Sequence, residues 1–302
     1  MASPAHPSYL HSCSPPTPLE SCHADCRSDL GDTRFDWFGT YLKWFDHWLK
    51  GIDNGITTMP KVQYYAMGKN QWKSAPVFPL VAPTRFYLHS DGRANSRYGS
   101  GTLSAAAPRT EPSDRFVYDP GAPVPSKAGP ICCTFSNEPA GPVDQRDIET
   151  RQDVLNYTSP PLTRETEVTR PIKAELYVSS SAKDTDFTVK LLDVLPDGTA
   201  YNLQEGIKRA RYRDGYRTPT LMKPNGIYRV AVDLQATSNV FLPGHQIRVE
   251  VSSSNFPRFD RNLNTGGVNW EETAWVTATN TIHHSAKCPS HILLPVLSGG
   301  VP

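Results

Sequence analysis

Long apolar runs, surplus charge and cysteine are all scarce in this sequence. No apolar stretch approaches the roughly 20 residues that a membrane-spanning helix needs. The 31 Lys and Arg residues nearly balance the 30 Asp and Glu, for a formal net charge of +1. That balance provides no basic stripe for nucleic acid or an anionic membrane surface. Six cysteines are few for 302 residues. Cys13, Cys22 and Cys26 sit near the start, far from Cys132, Cys133 and Cys288. Reduced thiols and a cytoplasmic setting are expected. The opening MASPAHPSYLHSCSPP has no basic head followed by an apolar stretch, so it does not read as a secretory signal.

Catalytic signatures are missing too. A serine hydrolase of the α/β type presents its nucleophile on a strained Gly-x-Ser-x-Gly turn, and no Gly-x-Ser occurs here. No phosphate-binding glycine loop is present, and Gly99-Ser100-Gly101 reads as a connection. Cys13, Cys22, His23 and Cys26 are zinc-type ligands at a spacing that fits no standard site. Asp260, Asn262 and Asn264 have the one-three-five spacing of a calcium loop, with Glu271 at the twelfth place. Thr265 occupies the sixth place, where the sharp turn needs glycine, so a polar loop tied by Asx turns is favoured. His283, His284 and His291 read as surface or packing residues. Asp184 and Asp186 read as a strand-entry turn, and the mixed-charge run from Asp144 to Asp153 as a solvated loop. No cofactor or metal is expected.

Enough chain is present for a large core, in one big domain or two modest ones. Residues 1–29 form an irregular leader rich in Pro, Ser, Cys and His. In GDTRFDWFGTYLKWFDHWLKG, residues Phe35, Phe38, Leu42, Phe45 and Leu49 follow helical spacing. Thr33 is the expected cap, with Asp36 in the first turn and Gly51 at the stop. Trp37, Tyr41, Trp44 and Trp48 widen the apolar face, which must lie against another body. Beyond Gly51 the period changes to two. KVQYYAMG, TRFYLHS, RFVYD, PIKAELYVSSS, IYRVAVDL, HQIRVEVSSS and HILLPVL read as strands. DFTVKLLDVLPDGTAYNL reads as a hairpin turning at Asp197-Gly198. Many short strands, 28 prolines and 20 glycines predict a mainly β fold, an antiparallel jelly-roll β-sandwich preceded by one amphipathic helix.

YLKWFDHWLKG, MPKVQYYAMGKNQW, DQRDIETRQDVLNYTSPPL, SSAKDTDFTVKLLDVLPDG and SNVFLPGHQIRVEVSSSNFPRFDRNLNTGG closely resemble the cocaine-esterase-like and X-prolyl-dipeptidyl-peptidase family of serine hydrolases. The resemblance runs from Gly31 to Leu297. It implies that residues 30–58 are the terminal helix of an α/β-hydrolase domain and that 59–302 are the C-terminal jelly roll. The nucleophilic serine and the aspartate would lie before residue 1. The implied partner is therefore an α/β-hydrolase domain, and the implied substrate is a small-molecule ester or peptide. HPSYLHSC approximates the family's histidine motif and makes His11 the candidate triad base. His23 lies nearer Gly31 but has no supporting motif. The polar loop from Asn255 to Gly267 is expected to dock on the hydrolase body. The resemblance implies a chain inactive alone. A different class of function is a stand-alone β-sandwich that binds carbohydrate or protein, with Trp72, Trp270 and Trp275 as stacking residues.

Overall fold

The computed structural model describes residues 28–78, 81–131 and 140–298. His11, the Cys13, Cys22, His23 and Cys26 group, and Cys132-Cys133 lie outside the described residues.

Helix α1 (Trp37–Lys50) begins two residues after the first apolar residue, Phe35. Its cap is Asp36, not Thr33: the Asp36 carboxylate accepts the Gly39 N–H at 2.8 Å. A carboxylate there also faces the positive end of the helix dipole. The stop is as expected. Gly51 adopts the left-handed conformation (φ 69°) and its N–H bonds the His47 carbonyl.

The strands follow in chain order. A hairpin of β1 (Val62–Ala66) and β2 (Gln71–Ala75) comes first, then β3 (Thr84–His89), β4 (Thr102–Ser104), β5 (Asp114–Tyr118) and β6 (Leu155–Thr158). The long strands are β7 (Thr166–Ser180), β8 (Asp186–Val194), β9 (Ala200–Arg209), β10 (Tyr228–Phe241), β11 (Gln246–Ser252) and β12 (Ala278–Ser285). Three short ones close the series: β13 (Cys288–Pro289), β14 (His291–Leu294) and β15 (Val296–Ser298). The expected HILLPVL strand divides at Pro295, which has no N–H for a ladder, and both halves pair with β7.

The result is a β-sandwich. One layer is built on β7, flanked by β10, β12, β14 and β15, with β5 beyond β12 and β3 beyond β14. The other layer runs β6-β11-β8-β9, and β4 joins the two by pairing with both β3 and β6. Inward side chains of both layers, among them Phe86, Leu176, Val178, Val230, Ile282, Phe187, Leu191 and Val249, form one apolar core. β10 shows the alternation that places them. Val230, Val232 and Leu234 are buried, while Arg229, Ala231 and Asp233 are exposed. β8 departs from it, since every one of its residues is buried. Phe187, Val189 and Leu191 enter the core, while Lys190 faces a covering segment on the other side. The β8–β9 hairpin turns at Asp197-Gly198 as expected. Gly198 has φ 84° and the Asp197 carboxylate accepts the Thr199 N–H at 2.9 Å.

Candidate docking face and buried polar clusters

Helix α1 contributes nothing to the core: none of its residues is buried. Trp37, Tyr41, Trp44 and Trp48 form one apolar stripe, and Phe38, Leu42, Phe45 and Leu49 a second beside it, each spaced four, three and four residues. Phe38 is 83% exposed and Leu49 76%. The tryptophan stripe borders an open apolar groove of about 590 Å³, whose opposite wall is Ile56, Met59 and Trp72. Phe35 bridges the two walls, with ring centroids 4.6 Å from Trp37 and 5.2 Å from Trp72. The approach to the helix is anchored on the hairpin, where Tyr65 O–H donates to the Leu30 carbonyl and Asn70 Nδ2 donates to the Asp29 carbonyl at 2.8 Å. The helix exit is pinned by Asn54 Nδ2, which donates to the Lys43 carbonyl at 2.7 Å. Monomeric proteins rarely leave such a contiguous apolar surface uncovered. Covering the eight large side chains of the two stripes, each more than half exposed, would contribute on the order of 1 kcal/mol apiece.

A Ser, a His and an Asp do meet inside the sandwich, as sequence spacing gave no reason to expect. Ser90 Oγ donates to Asp114 Oδ1 at 2.7 Å, His284 Nε2 lies 2.7 Å from Asp114 Oδ2, and Ser90 Oγ is 3.2 Å from the same Nε2. This wiring does not generate a nucleophile. A catalytic histidine takes the serine proton through one ring nitrogen while the other holds the carboxylate. Here one nitrogen serves both contacts, and the serine proton is spent on the aspartate. Asp114 and His284 are also fully buried, with no exposed surface. Asp114 is instead a structural hub, accepting further bonds from the Ala94 N–H at 2.9 Å and Tyr157 O–H at 2.8 Å. Its two oxygens thus take four donors, which saturates a carboxylate. Burial opposes its charge, but the bonds from His284, Ser90, Ala94 and Tyr157 outweigh burial and hold its carboxyl below the usual range. His284 is therefore a packing histidine, as expected, but a charged-partner one.

The polar loop after β11 turns inward instead of offering its groups to another body. Asn262 Nδ2 donates to Asp184 Oδ2 at 2.7 Å and Asp186 Oδ1 at 2.8 Å. Arg211 Nε holds Asp184 at 2.7 Å, and Arg209 bonds both Asp186 and Asp260. Asp184 and Asp186 are thus buried anchors, more than a simple strand-entry turn. The calcium spacing does not converge on a cation site. Asn262 presents its donor nitrogen to carboxylates, Asn264 Nδ2 donates to the Val276 carbonyl at 2.6 Å, and Glu271 is exposed. Among the described residues no group of three or more His, Cys, Asp or Glu is placed to hold a metal.

The charged run from Asp144 to Asp153 also differs from a solvated loop. Glu149 is fully buried and accepts two bonds from Arg248 Nη1 of β11, at 2.7 and 2.8 Å. Gln145 Oε1 accepts from Lys190 Nζ of β8 at 3.2 Å. Of the run's other charges, Arg146 pairs with Asp144 and Arg151 with Asp153, while Asp147 accepts from Lys127 Nζ at 2.8 Å. The segment is a lid over the outer face of the second layer, which explains the burial of β8 on both sides. Trp72, Trp270 and Trp275 form no common platform. Trp72 packs on Phe35 and Tyr65, whereas Trp275 donates to Asp119 at 3.1 Å beneath Arg261, and Trp270 projects from its turn.

These features define a class: an accessory β-sandwich domain with an uncovered aromatic helix and, among the described residues, no assembled nucleophile. The chain belongs to the family of X-Pro dipeptidyl-peptidase C-terminal non-catalytic domains, whose sequence profile matches residues 54–293. It is 50% identical over 248 residues to a cocaine esterase of Rhodococcus sp., a match covering 81% of this chain and 43% of that protein. An aminopeptidase from a marine sediment Thaumarchaeota archaeon superposes with a TM-score of 0.74 at 30% identity, over 91% of this chain and 47% of that one. An alpha-amino acid ester hydrolase superposes with a TM-score of 0.70 at 28% identity, over 84% of this chain and 43% of that one. The chain thus spans less than half the length of these relatives.

Proposed function

We propose that this chain is the docked, non-catalytic portion of a serine hydrolase that cleaves small acyl esters or X-Pro peptides and amides. In this reading residues 1–29 are the leader, 30–58 carry the terminal helix of an α/β-hydrolase domain, and 59–302 are the jelly roll. The partner is the α/β-hydrolase body that holds the nucleophilic serine and the aspartate. The observation that carries the reading is the uncovered double stripe of α1, with no buried residue in the whole helix. The three relatives support the substrate class, because their names describe an esterase, an aminopeptidase and an ester hydrolase. All three reactions are hydrolytic acyl transfers, which need an activated nucleophile. We assign the triad base to His11. In the assembled enzyme it would take the serine proton and return it to the leaving group, while the aspartate fixed its tautomer. The free Cys288 thiol fits a reducing, cytoplasmic setting.

The test is hydrolysis of a p-nitrophenyl ester and of a Gly-Pro amide. The chain alone is expected to give no turnover. Refolded together with the part of the Rhodococcus cocaine esterase outside the matched region, it is expected to restore turnover that a serine-directed inhibitor abolishes. Inhibitor-sensitive turnover by the chain alone would overturn the reading.

A further inference from the structure

Both ring nitrogens of His284 face carboxylates. Nε2 is 2.7 Å from Asp114 Oδ2, and Nδ1 is 3.4 Å from Glu111 Oε2. The ring and Asp114 are fully buried, so water cannot screen that contact, whereas the Glu111 side chain is 23% exposed. A neutral imidazole has one donor and one acceptor nitrogen. In either tautomer it would turn a lone pair toward a carboxylate. Only the imidazolium presents an N–H to both, in a hydrogen bond to Asp114 and in a charge contact without hydrogen-bond geometry to Glu111. His283, next along β12, has the opposite surroundings: its Nδ1 and Nε2 each lie 2.9 Å from a hydroxyl, those of Ser113 and Ser179. A hydroxyl can donate or accept, so His283 is satisfied as a neutral ring.

We propose that His284 is kept as an imidazolium and acts as a proton-held clamp at this end of the sandwich. Charged, it ties the segment from Ser90 to Asp114 to strands β12 and β6. Its deprotonation in alkaline solution frees that segment. The contacts bring together elements that are remote in sequence. Asp114 starts β5, Glu111 precedes it, Ser90 follows β3, and Tyr157 on β6 stacks edge-on against the His284 ring at 6.2 Å. Glu111 is held from its other side by His89 Nδ1 at 2.8 Å, and His89 Nε2 lies 2.9 Å from the Ala106 carbonyl. Asp114 Oδ1 in turn fixes the turn at Ala94 and the Ser90 hydroxyl. One proton therefore offsets part of the negative charge where two carboxylates converge, and through them it holds the crossing from β3 to β5.

The charged groups around the ring set the sign. Burial disfavours the imidazolium, but the bond to Asp114 and the charges of Asp114 and Glu111 outweigh burial and raise its proton affinity. The neighbouring His283 goes the other way, pushed down by burial and by the charges of His284 and Arg115. A group whose proton affinity rises on folding contributes its full stability below its unfolded pKa of about 6.5 and loses it as pH rises through the folded value. The clamp therefore loosens as pH rises.

Nitrogen-15 NMR of the intact chain with labelled histidine tests this directly, scanned from about pH 5 to pH 9. At neutral pH, His284 should show two protonated ring nitrogens while His283 shows one. A neutral His284 ring at pH 7 would overturn the proposal. As a second readout, His284→Gln keeps a donor toward Asp114 but cannot titrate. The unmodified chain should lose thermal stability between pH 7 and pH 9, and the variant should lose at most half as much, whatever its starting stability. Parallel losses in both would overturn the clamp.

Discussion

Glu250 of β11 is a carboxyl with little to hold its charge. It is buried beneath the lid, Lys190 Nζ is 3.8 Å from its Oε2, and its Oε1 has no hydrogen-bond partner. Burial pushes its pKa up to about 7, against the pull of Lys190. An acid raised on folding binds a proton more tightly in the native state, so folding is penalised progressively as pH climbs from about 4.5 toward 7. Glu250→Gln should therefore stabilise the chain by about 1–2 kcal/mol at pH 8 and leave it unchanged near pH 4, as read from urea midpoints. Destabilisation at pH 8 would mean that the attraction of Lys190 outweighs burial. Asp114 behaves oppositely, because its four donors favour the charged form. Asp114→Ala should cost about 3–5 kcal/mol by stranding His284 and the Tyr157 hydroxyl. A loss below about 1 kcal/mol in a urea titration would contradict its role as hub. Neither residue could be singled out from the sequence. Asp114 and His284 lie 170 positions apart, and no local pattern records a pairing made by strand order.

Among the elements, α1 was the most legible, because a 3.6-residue period and a terminal glycine are local signals. Its cap moved from Thr33 to Asp36, since a short acidic side chain directly before the first helical turn reaches the Gly39 N–H. Most strands of the main layers were legible through alternation, but β6 and β12 were not read as strands. β8 was legible as the first arm of its hairpin, but its burial on both faces was not, because the lid that covers the second face is remote in sequence. The lid itself and the loop after β11 read as solvated or docking segments, since charge in a sequence does not reveal its partner. Glu149 finds Arg248, and Asn262 finds Asp184 and Asp186, only after the sheet has assembled. The uncovered helix gives a sharp expectation. Exposed positions tolerate substitution within about 0.5 kcal/mol, so the double variant Leu42→Gln, Phe45→Gln should leave the unfolding midpoint of the isolated chain nearly unchanged and increase its solubility. A loss of several kcal/mol would show that this stripe is covered by the chain's own residues.

At the scale of the whole molecule, two kinds of surface coexist. The sandwich has a large apolar core of its own, and its polar loops anchor inward through Glu149 with Arg248 and Asn262 with Asp184 and Asp186. The helix and its hairpin differ, because their aromatic side chains face outward around an open groove. The simplest physical resolution is a second body that covers this face and supplies the chemistry the described residues do not assemble. Calorimetric titration of the chain into the portion of the Rhodococcus esterase outside the matched region tests that most directly. The account predicts saturable one-to-one binding with a negative heat-capacity change from apolar burial, weakened at least tenfold by Trp44→Asp. Absence of binding, or binding unaffected by that substitution, would contradict it.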